Sequence, residues 1–413
     1  MNVTVQSNKC VVSLGNQLSF SRARNRDVSA RTEITFEFFE IGQNYTPFSM
    51  DIEAYVSQQE LETFLFLLTV DFKDYTPGQF ESSAVDILAK KTYRRLSKEP
   101  VQQAFAEVWP DVDDDSKFIF FGGGVDSRAV AGLYPEARRV VLDTTLYTSY
   151  RLRAGDVFIR TNLKSGAFDP RGFVFWSQPF AVAPILASYY GCQRPVFMIG
   201  SILGSSYLMN GRKYFNREAR SDSTFGVTGN MYHSLFNELG LPLYAPLANC
   251  SEYVSTKVEI LTGDNSEKNP YIPAFCQANR GAPCLKCFKC LRKVVERCLV
   301  AKSLDVDLSY SDFSTVECVL DSLPSTRIDF SYFYHVWNYA ALESPEISTL
   351  LAKRGFKASE VDKLELNVVY SDLERFYQSD AFSTDKLSRL ERLGVRPASS
   401  DMTVRLKAYN PGT

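Results

Sequence analysis

The segment Phe118-Ile-Phe-Phe-Gly-Gly-Gly-Val-Asp-Ser127 constrains this chain more than any other. Its leading apolar run is of the kind found in strands buried on both faces, which belong to the middle of a parallel sheet. Gly122, Gly123 and Gly124 then allow a sharp turn and leave backbone N–H groups bare for close approach by a ligand. Arg128-Ala-Val-Ala-Gly-Leu133 continues with helical character, so a helix starting near Ser127 points its positive end at the same turn. Phosphate groups suit that arrangement. Ser127 offers a hydroxyl donor, and Asp126 is placed either to cap the helix or to help hold a magnesium ion carried by a nucleotide. A plain glycine-rich turn is the alternative reading; the Asp-Ser ending, the strand before and the helix after weigh against it. The Walker phosphate loop does not fit, because no Lys-Ser/Thr pair follows.

From Lys117 onward short apolar strands alternate with helical segments. Phe118–Phe121, Arg139–Leu142, Val157–Thr161 and Pro195–Ile199 read as strands, with helices at about Arg128–Leu133 and Pro179–Tyr190. This pattern predicts an α/β fold, a parallel sheet with helices on both faces. Residues 1–56 instead alternate apolar and polar positions in Val3–Gln6, Val11–Leu14, Gln17–Phe20, Glu33–Phe39 and Asp51–Val56, as in a small antiparallel sheet. Ser57 and Glu60 form a capping box before the apolar run Leu61 to Leu68. A second helix, about Ser83–Leu96, leads to the acidic stretch Asp111–Asp115, a domain edge. After about Ser309 the texture is helical and aromatic, as in Phe330–Leu342 and Ser371–Tyr377. The expected organisation is an N-terminal α+β domain over 1–110, a nucleotide-binding domain over 111–310 and a helical C-terminal extension over 311–413. A chain of 413 residues has room for two or three such units.

Four of the nine cysteines are clustered: Cys276, Cys284, Cys287 and Cys290, with seven, two and two residues between them. Two-residue spacings let neighbouring thiolates wrap one ion, and four sulfurs complete a tetrahedral zinc site without an open position, hence a structural one. An iron–sulfur cluster or a persulfide-forming pair are the alternatives. Arg280, Lys286, Lys289, Arg292, Lys293 and Arg297 surround the cluster. Most are read as screening the thiolates; Arg292 and Lys293 are held as candidates for contact with phosphate or an anionic substrate. Gly200 and Ser201 follow the strand Pro195–Ile199, at the carboxyl end where α/β folds place ligand contacts, and Arg212 or Lys213 could meet a carboxylate or phosphate.

Gly122–Ser127 resembles the SGGxDS loop of the N-type ATP pyrophosphatases, which include asparagine synthetases, tRNA thiolases and cyano-deazaguanine synthases. Gly122 stands where that family usually has Ser, so one hydroxyl contact is missing while the backbone cradle is kept. The cysteine run is similar to that of the cyano-deazaguanine synthases, as is Pro246 followed by Ser255-Thr-Lys257-Val-Glu-Ile260. Together the three elements cover about residues 117–300. The resemblance implies an ATP pyrophosphatase (PP-loop) domain that binds ATP with Mg2+ through Gly122, Gly123, Gly124, Val125, Asp126, Ser127 and Arg128. It places Asp143 and Thr144 near adenine or ribose, an ordinary strand-end turn being the other reading. Asp126, Ser127 and Lys257 are its candidate catalytic residues. The implied reaction is adenylylation of a small-molecule carboxylate or amide, followed by attack of a nitrogen nucleophile. A sulfur-transferring thiolase and a catalytically degenerate nucleotide-binding scaffold are the competing readings.

The 46 basic and 48 acidic residues nearly cancel, which argues against a tRNA or DNA partner. No apolar run approaches the roughly 20 residues of a membrane span. Met1–Lys9 is polar and strand-like rather than a signal peptide, so a cytoplasmic setting is expected. His233 and His335 are the only histidines and sit in apolar, aromatic contexts, which leaves little material for hydrolytic triads or histidine-rich metal sites. The N-terminal cysteine of a built-in glutaminase is not found, so nitrogen is expected from elsewhere. Residues 1–110 are left to decide specificity or homodimer formation.

Overall fold

The computed structural model describes residues 2–13, 33–42, 45–47, 56–69, 116–143, 152–161, 181–203, 236, 240–263, 284–325, 328–370 and 380–398. The expected segments Gln17–Phe20, Ser83–Leu96, Asp111–Asp115 and Ser371–Tyr377 lie outside these residues, as do Thr144, Arg212, Lys213, His233, Cys276 and Arg280. In chain order the strands are β1 Asn2–Gln6, β2 Lys9–Ser13, β3 Glu33–Ile41, β4 Tyr45–Pro47, β5 Lys117–Phe120, β6 Arg138–Asp143, β7 Val157–Thr161, β8 Val196–Ile199, β9 Leu243–Tyr244, β10 Val368–Val369 and β11 Arg396–Pro397. The helices are α1 Gln58–Thr69, α2 Val125–Leu133, α3 Ala183–Tyr189, α4 Glu252–Thr262, α5 Phe288–Leu304, α6 Phe313–Ser322, α7 Tyr334–Glu343, α8 Pro345–Ala352 and α9 Asp380–Arg392.

Every residue of β5 is buried, as its apolar run requires, because neighbours cover both its faces. Phe118 and Phe120 stack on Phe197 of β8, with ring centroids 5.1 and 5.6 Å apart, on the face that receives Ile185 and Leu186 of α3. Ile119 points the other way, into a core shared with Ala129 and Val130 of α2, Val254 and Val258 of α4, and Leu390 of α9. Period-two alternation thus loads helices onto both faces. Burial of each such side chain contributes roughly 1.5–3 kcal/mol.

One mixed sheet of nine strands results, with the order β1-β2-β3-β7-β6-β5-β8-β9 and β4 paired with β3. The five strands from β7 to β9 run parallel, as the alternation of strands and helices predicts. The N-terminal strands are antiparallel, also as read, but they continue the same sheet. β3 pairs with β7 in the register Phe36↔Thr161, Phe38↔Ile159 and Glu40↔Val157. The capping box forms at α1: the Ser57 N–H donates to Glu60 Oε2 at 2.6 Å, and the Glu60 N–H to Ser57 Oγ at 3.4 Å. Within the parallel portion the chain builds outward from β5 to β6 and β7, then crosses back to place β8 on the other side of β5. The carboxyl ends of β5 and β8 therefore flank the crevice where open α/β sheets bind ligands.

The C-terminal region packs onto this core. Helices α6 and α7 lie against α5, and β10 joins β11 in a short parallel pair. Helix α9 reaches back to α2, where Arg389 Nη1 donates to the Leu133 carbonyl at 2.6 Å and Nη2 to Glu136 at 2.7 Å. Among the described residues no helix is long and apolar enough to cross a membrane.

Two contacts give sharp tests of this packing. A Cβ added at Gly132 of α2 would lie 1.8 Å from Thr262 Oγ1 of α4. Gly132→Ala is therefore expected to destabilise by about 1–3 kcal/mol, whereas alanine in an unobstructed helix gains roughly 0.5–1 kcal/mol. Urea titration reads the sign, and the loss is expected to shrink in a Thr262→Ala background. Lys386 of α9 is fully buried, its Nζ donating to Asn249 Oδ1 at 3.0 Å, and burial pushes its pKa down to about 7 from the ordinary 10.5. Between those values the folded chain holds one proton fewer than the unfolded chain, so stability is expected to rise with pH across that window. A pH series of melts on Lys386→Met is expected to lack that rise.

Candidate functional site

The turn after β5 is built from three glycines with different duties. Gly123 adopts φ +73°, a conformation that side chains disfavour. Gly124 is the N-cap of α2 and contributes no side-chain cap, so the first N–H groups of that helix are left to other partners. At Gly122 and Gly124 an added Cβ would meet nothing within 4 Å, leaving room above the turn. The fourth glycine is on β8's side of the crevice. A Cβ at Gly200 would sit 2.5 Å from the Ser127 amide nitrogen and 2.7 Å from the Asp126 carbonyl carbon. Only glycine lets the end of β8 press on the start of α2, and Ser201 follows it, buried.

The side chains of the loop point into a charged junction of α2, α4 and α5. Asp126 does not cap its helix: Oδ1 accepts a 2.6 Å hydrogen bond from Ser255 Oγ on α4 and lies 3.9 Å from Lys293 Nζ on α5. Ser127 turns its hydroxyl back to the Gly124 carbonyl at 3.1 Å. Arg128 Nη1 donates to Glu259 Oε1 at 2.9 Å, and Arg297 Nη1 to Glu259 Oε2 at 3.3 Å. Lys293 Nζ and Thr256 Oγ1 both donate to Glu296 Oε2, at 2.7 and 3.2 Å. Arg292 lies over the Phe333 ring at 3.5 Å, with its Nε 3.3 Å from Glu296 Oε1. Glu252, fully buried, meets His335 Nε2 at 2.6 Å. Burial alone would raise the Glu252 pKa, but charge and hydrogen bonding from His335, with Arg292 nearby, hold it down at about 2. His335 is thus a partner in a polar pair rather than a plain packing residue.

Of the residues singled out from sequence, the structure brings together Gly122–Arg128, Gly200, Ser201, Arg292 and Lys293 around this junction or its immediate supports. Asp143 ends β6, the strand beside β5, at the same carboxyl edge. Lys257 is placed elsewhere. Its Nζ donates to Asn367 Oδ1 at 3.4 Å and to the Gly394 carbonyl at 3.2 Å, on the side of α4 away from Asp126. Residues two apart on a helix point in nearly opposite directions, so with Ser255 facing the loop Lys257 faces away. Glu252, Glu259, Glu296 and Arg297 were missed as members of the junction. Their signal was the spacing of Lys293, Glu296 and Arg297 on one face of a helix that proves to be buried.

Three cysteines of the clustered run are described, and they converge. The Sγ atoms of Cys284, Cys287 and Cys290 all lie within 4.8 Å of one another, Cys284 and Cys290 being 3.7 Å apart. Tetrahedral zinc with bonds of about 2.3 Å spaces its sulfurs roughly 3.8 Å apart, so this donor set fits a thiophilic metal. Cys287 is also the N-cap of α5 and accepts from the Cys290 N–H at 3.4 Å, while Cys284 accepts from the Lys286 N–H at 3.4 Å. Amide donors and the positive helix end favour thiolates at both positions. Lys293 lies one turn further along the same helix, so the sulfur cluster and the charged junction share one rigid element.

Residues 231–376 match the model of a family described as being of unknown function, DUF6395. The matched span holds α4, the described cysteines and the elements from α5 to β10, and leaves out the glycine turn. No curated protein and no solved structure matches the chain.

The purified protein is expected to carry about one thiolate-bound metal ion per chain by elemental analysis. Cys287→Ser is expected to lose that metal and to melt at a lower temperature, because metal binding contributes directly to folding. Retention of full metal content in that variant would refute the site.

Proposed function

We propose that this chain is an AMP-forming, ATP-dependent ligase of the N-type ATP pyrophosphatase kind, with the pyrophosphate of ATP lying against Gly122–Ser127. The observation that carries this reading is the uncapped N-terminus of α2, set at the crevice between β5 and β8. The uncapped helix end, the open space over Gly122 and Gly124, and Lys293, 3.9 Å from Asp126 and 2.7 Å from Glu296, support this reading. Polyphosphate is the ligand that such a surface favours. Asp126 is the carboxylate suited to hold the magnesium ion that travels with ATP, and Lys293 and Arg128 supply cations for phosphate oxygens. In this reading zinc, held by Cys284, Cys287, Cys290 and Cys276, organises the start of α5 and takes no part in bond making.

The reaction class follows from the resemblance. A carboxylate or amide oxygen of a small molecule attacks the α-phosphorus, the bond to the bridging oxygen breaks, and pyrophosphate leaves with the electron pair. A nitrogen nucleophile then attacks the activated carbon, AMP departs, and the proton lost by nitrogen passes to water. The chain's own part is positioning and charge stabilisation, as in other phosphate chemistry with little covalent assistance. Asp126 is tied to Ser255 and Arg128 to Glu259, so these groups are held in place before the nucleotide arrives.

Incubation of the protein with ATP, magnesium and a metabolite extract, read by mass spectrometry, is expected to yield AMP and pyrophosphate. Asp126→Ala or Lys293→Met is expected to reduce that yield by about 10²-fold or more, the scale of losing one preorganised electrostatic contact. ADP as the sole nucleotide product would sink the ligase reading. Tight ATP binding with no turnover would favour a nucleotide-binding scaffold instead.

A further inference from the structure

A cleft of about 470 Å³ opens on the far side of α4 from the glycine turn. Tyr339 and Glu343 of α7 form one wall, and Asn367, Val368, Gly394 and Arg396 from the β10–β11 region form the other. Its volume is in the range that accommodates metabolite-sized ligands. Lys257 stands behind this lining, with more than nine-tenths of its surface buried. Its Nζ donates to two residues of the cleft, Asn367 and Gly394, and both acceptors are neutral oxygens. Among the described residues no carboxylate lies within 4.0 Å of that nitrogen. An ammonium has three N–H donors, so among the described residues one finds no acceptor and the charge meets no carboxylate.

Burying such a group without a counter-charge is costly, and burial lowers the Lys257 pKa accordingly. The lysine does not itself line the cleft, but both of its acceptors, Asn367 and Gly394, do. Gly394, held at φ +70°, has no side chain, and a Cβ there would lie 3.6 Å from Nζ, in the space a ligand atom could enter from the cleft. The lining also holds Lys363, which Glu343 meets at 2.9 Å, and the exposed pair of opposite charges Glu365 and Arg396.

We propose that this cleft is a second ligand site, which takes a small organic carboxylate whose anionic group is held by Lys257 beside Asn367. The Tyr339 ring supplies an apolar wall for the body of that ligand. Because α4 separates the cleft from the glycine turn, the site is distinct from the nucleotide crevice, and the inference does not depend on the ligase reading.

Succinate, glutamate and inorganic phosphate are the probes, titrated into the full-length protein and read by melting temperature and calorimetry. Succinate or glutamate is expected to bind and raise the melting temperature, with phosphate inert at the same concentration. Lys257→Met is expected to weaken binding about ten- to hundredfold, the scale of a lost charge-assisted contact, and to melt no lower than the unaltered chain without ligand. Asn367→Asp is the second variant: it places a carboxylate beside Lys257 within the chain, and is expected to raise the melting temperature while abolishing ligand binding. Ser127→Ala is expected to leave carboxylate binding unchanged. The proposal is overturned if neither carboxylate binds, if phosphate binds as well as they do, or if Ser127→Ala and not Lys257→Met removes the binding.

Discussion

Asp126, Glu259 and Glu296 meet Lys293, Arg128, Arg292 and Arg297 where α2, α4 and α5 come together, and Glu252 of α4 pairs with His335 beside them. Three carboxylates and four cations therefore share one junction, and except for Asp126 and Arg128 all of these residues are buried. Such a set is held by mutual need: leaving one buried charge without its partner costs on the order of 3–5 kcal/mol. The three helices are consequently fixed in register as well as in distance, since a slip of one residue would disturb the pairs that cross between them, Arg128–Glu259, Lys293–Asp126 and Arg297–Glu259. That fixity is what a preorganised anion site requires of its supports.

The glycine turn gains its shape from the sheet rather than from the helices. β5 and β8 are adjacent parallel strands, so their carboxyl ends emerge side by side. Gly200 lets one end touch the other, and Gly123 supplies the left-handed turn that carries the chain from strand to helix. Gly122 and Gly124 answer to neither demand. They keep the approach open, which is a property of the ligand side of the loop and not of its packing.

What the sequence made legible was local. The apolar run Phe118–Phe121 and the Ser57–Glu60 capping box each encode their outcome within a few residues and appear in the structure as read, and the described part of the cysteine run, Cys284, Cys287 and Cys290, converges. Distant pairing was not legible. Ser255 and Asp126 are 129 positions apart and Arg128 and Glu259 131, so no window of sequence contains both partners. The continuity of the N-terminal strands with the central sheet rests likewise on β3 meeting β7, more than a hundred residues later. The direction of the Lys257 side chain was not legible either. The motif located the helix correctly, but its rotation, which decides the face each side chain presents, is set by packing against α2 and α5 that the motif does not contain.

Helix α5 begins at the sulfur cluster and one turn later carries Lys293 to Asp126. Seventeen residues thus serve two masters through a single rigid rod. Inserting or deleting one residue in its first turn would rotate everything downstream by about 100°, so neither feature can be edited in length without disturbing the other. The cysteine knuckle and the charged junction therefore form one mechanical unit. A graft of this half onto another scaffold would have to carry α4, α5 and the cysteines together.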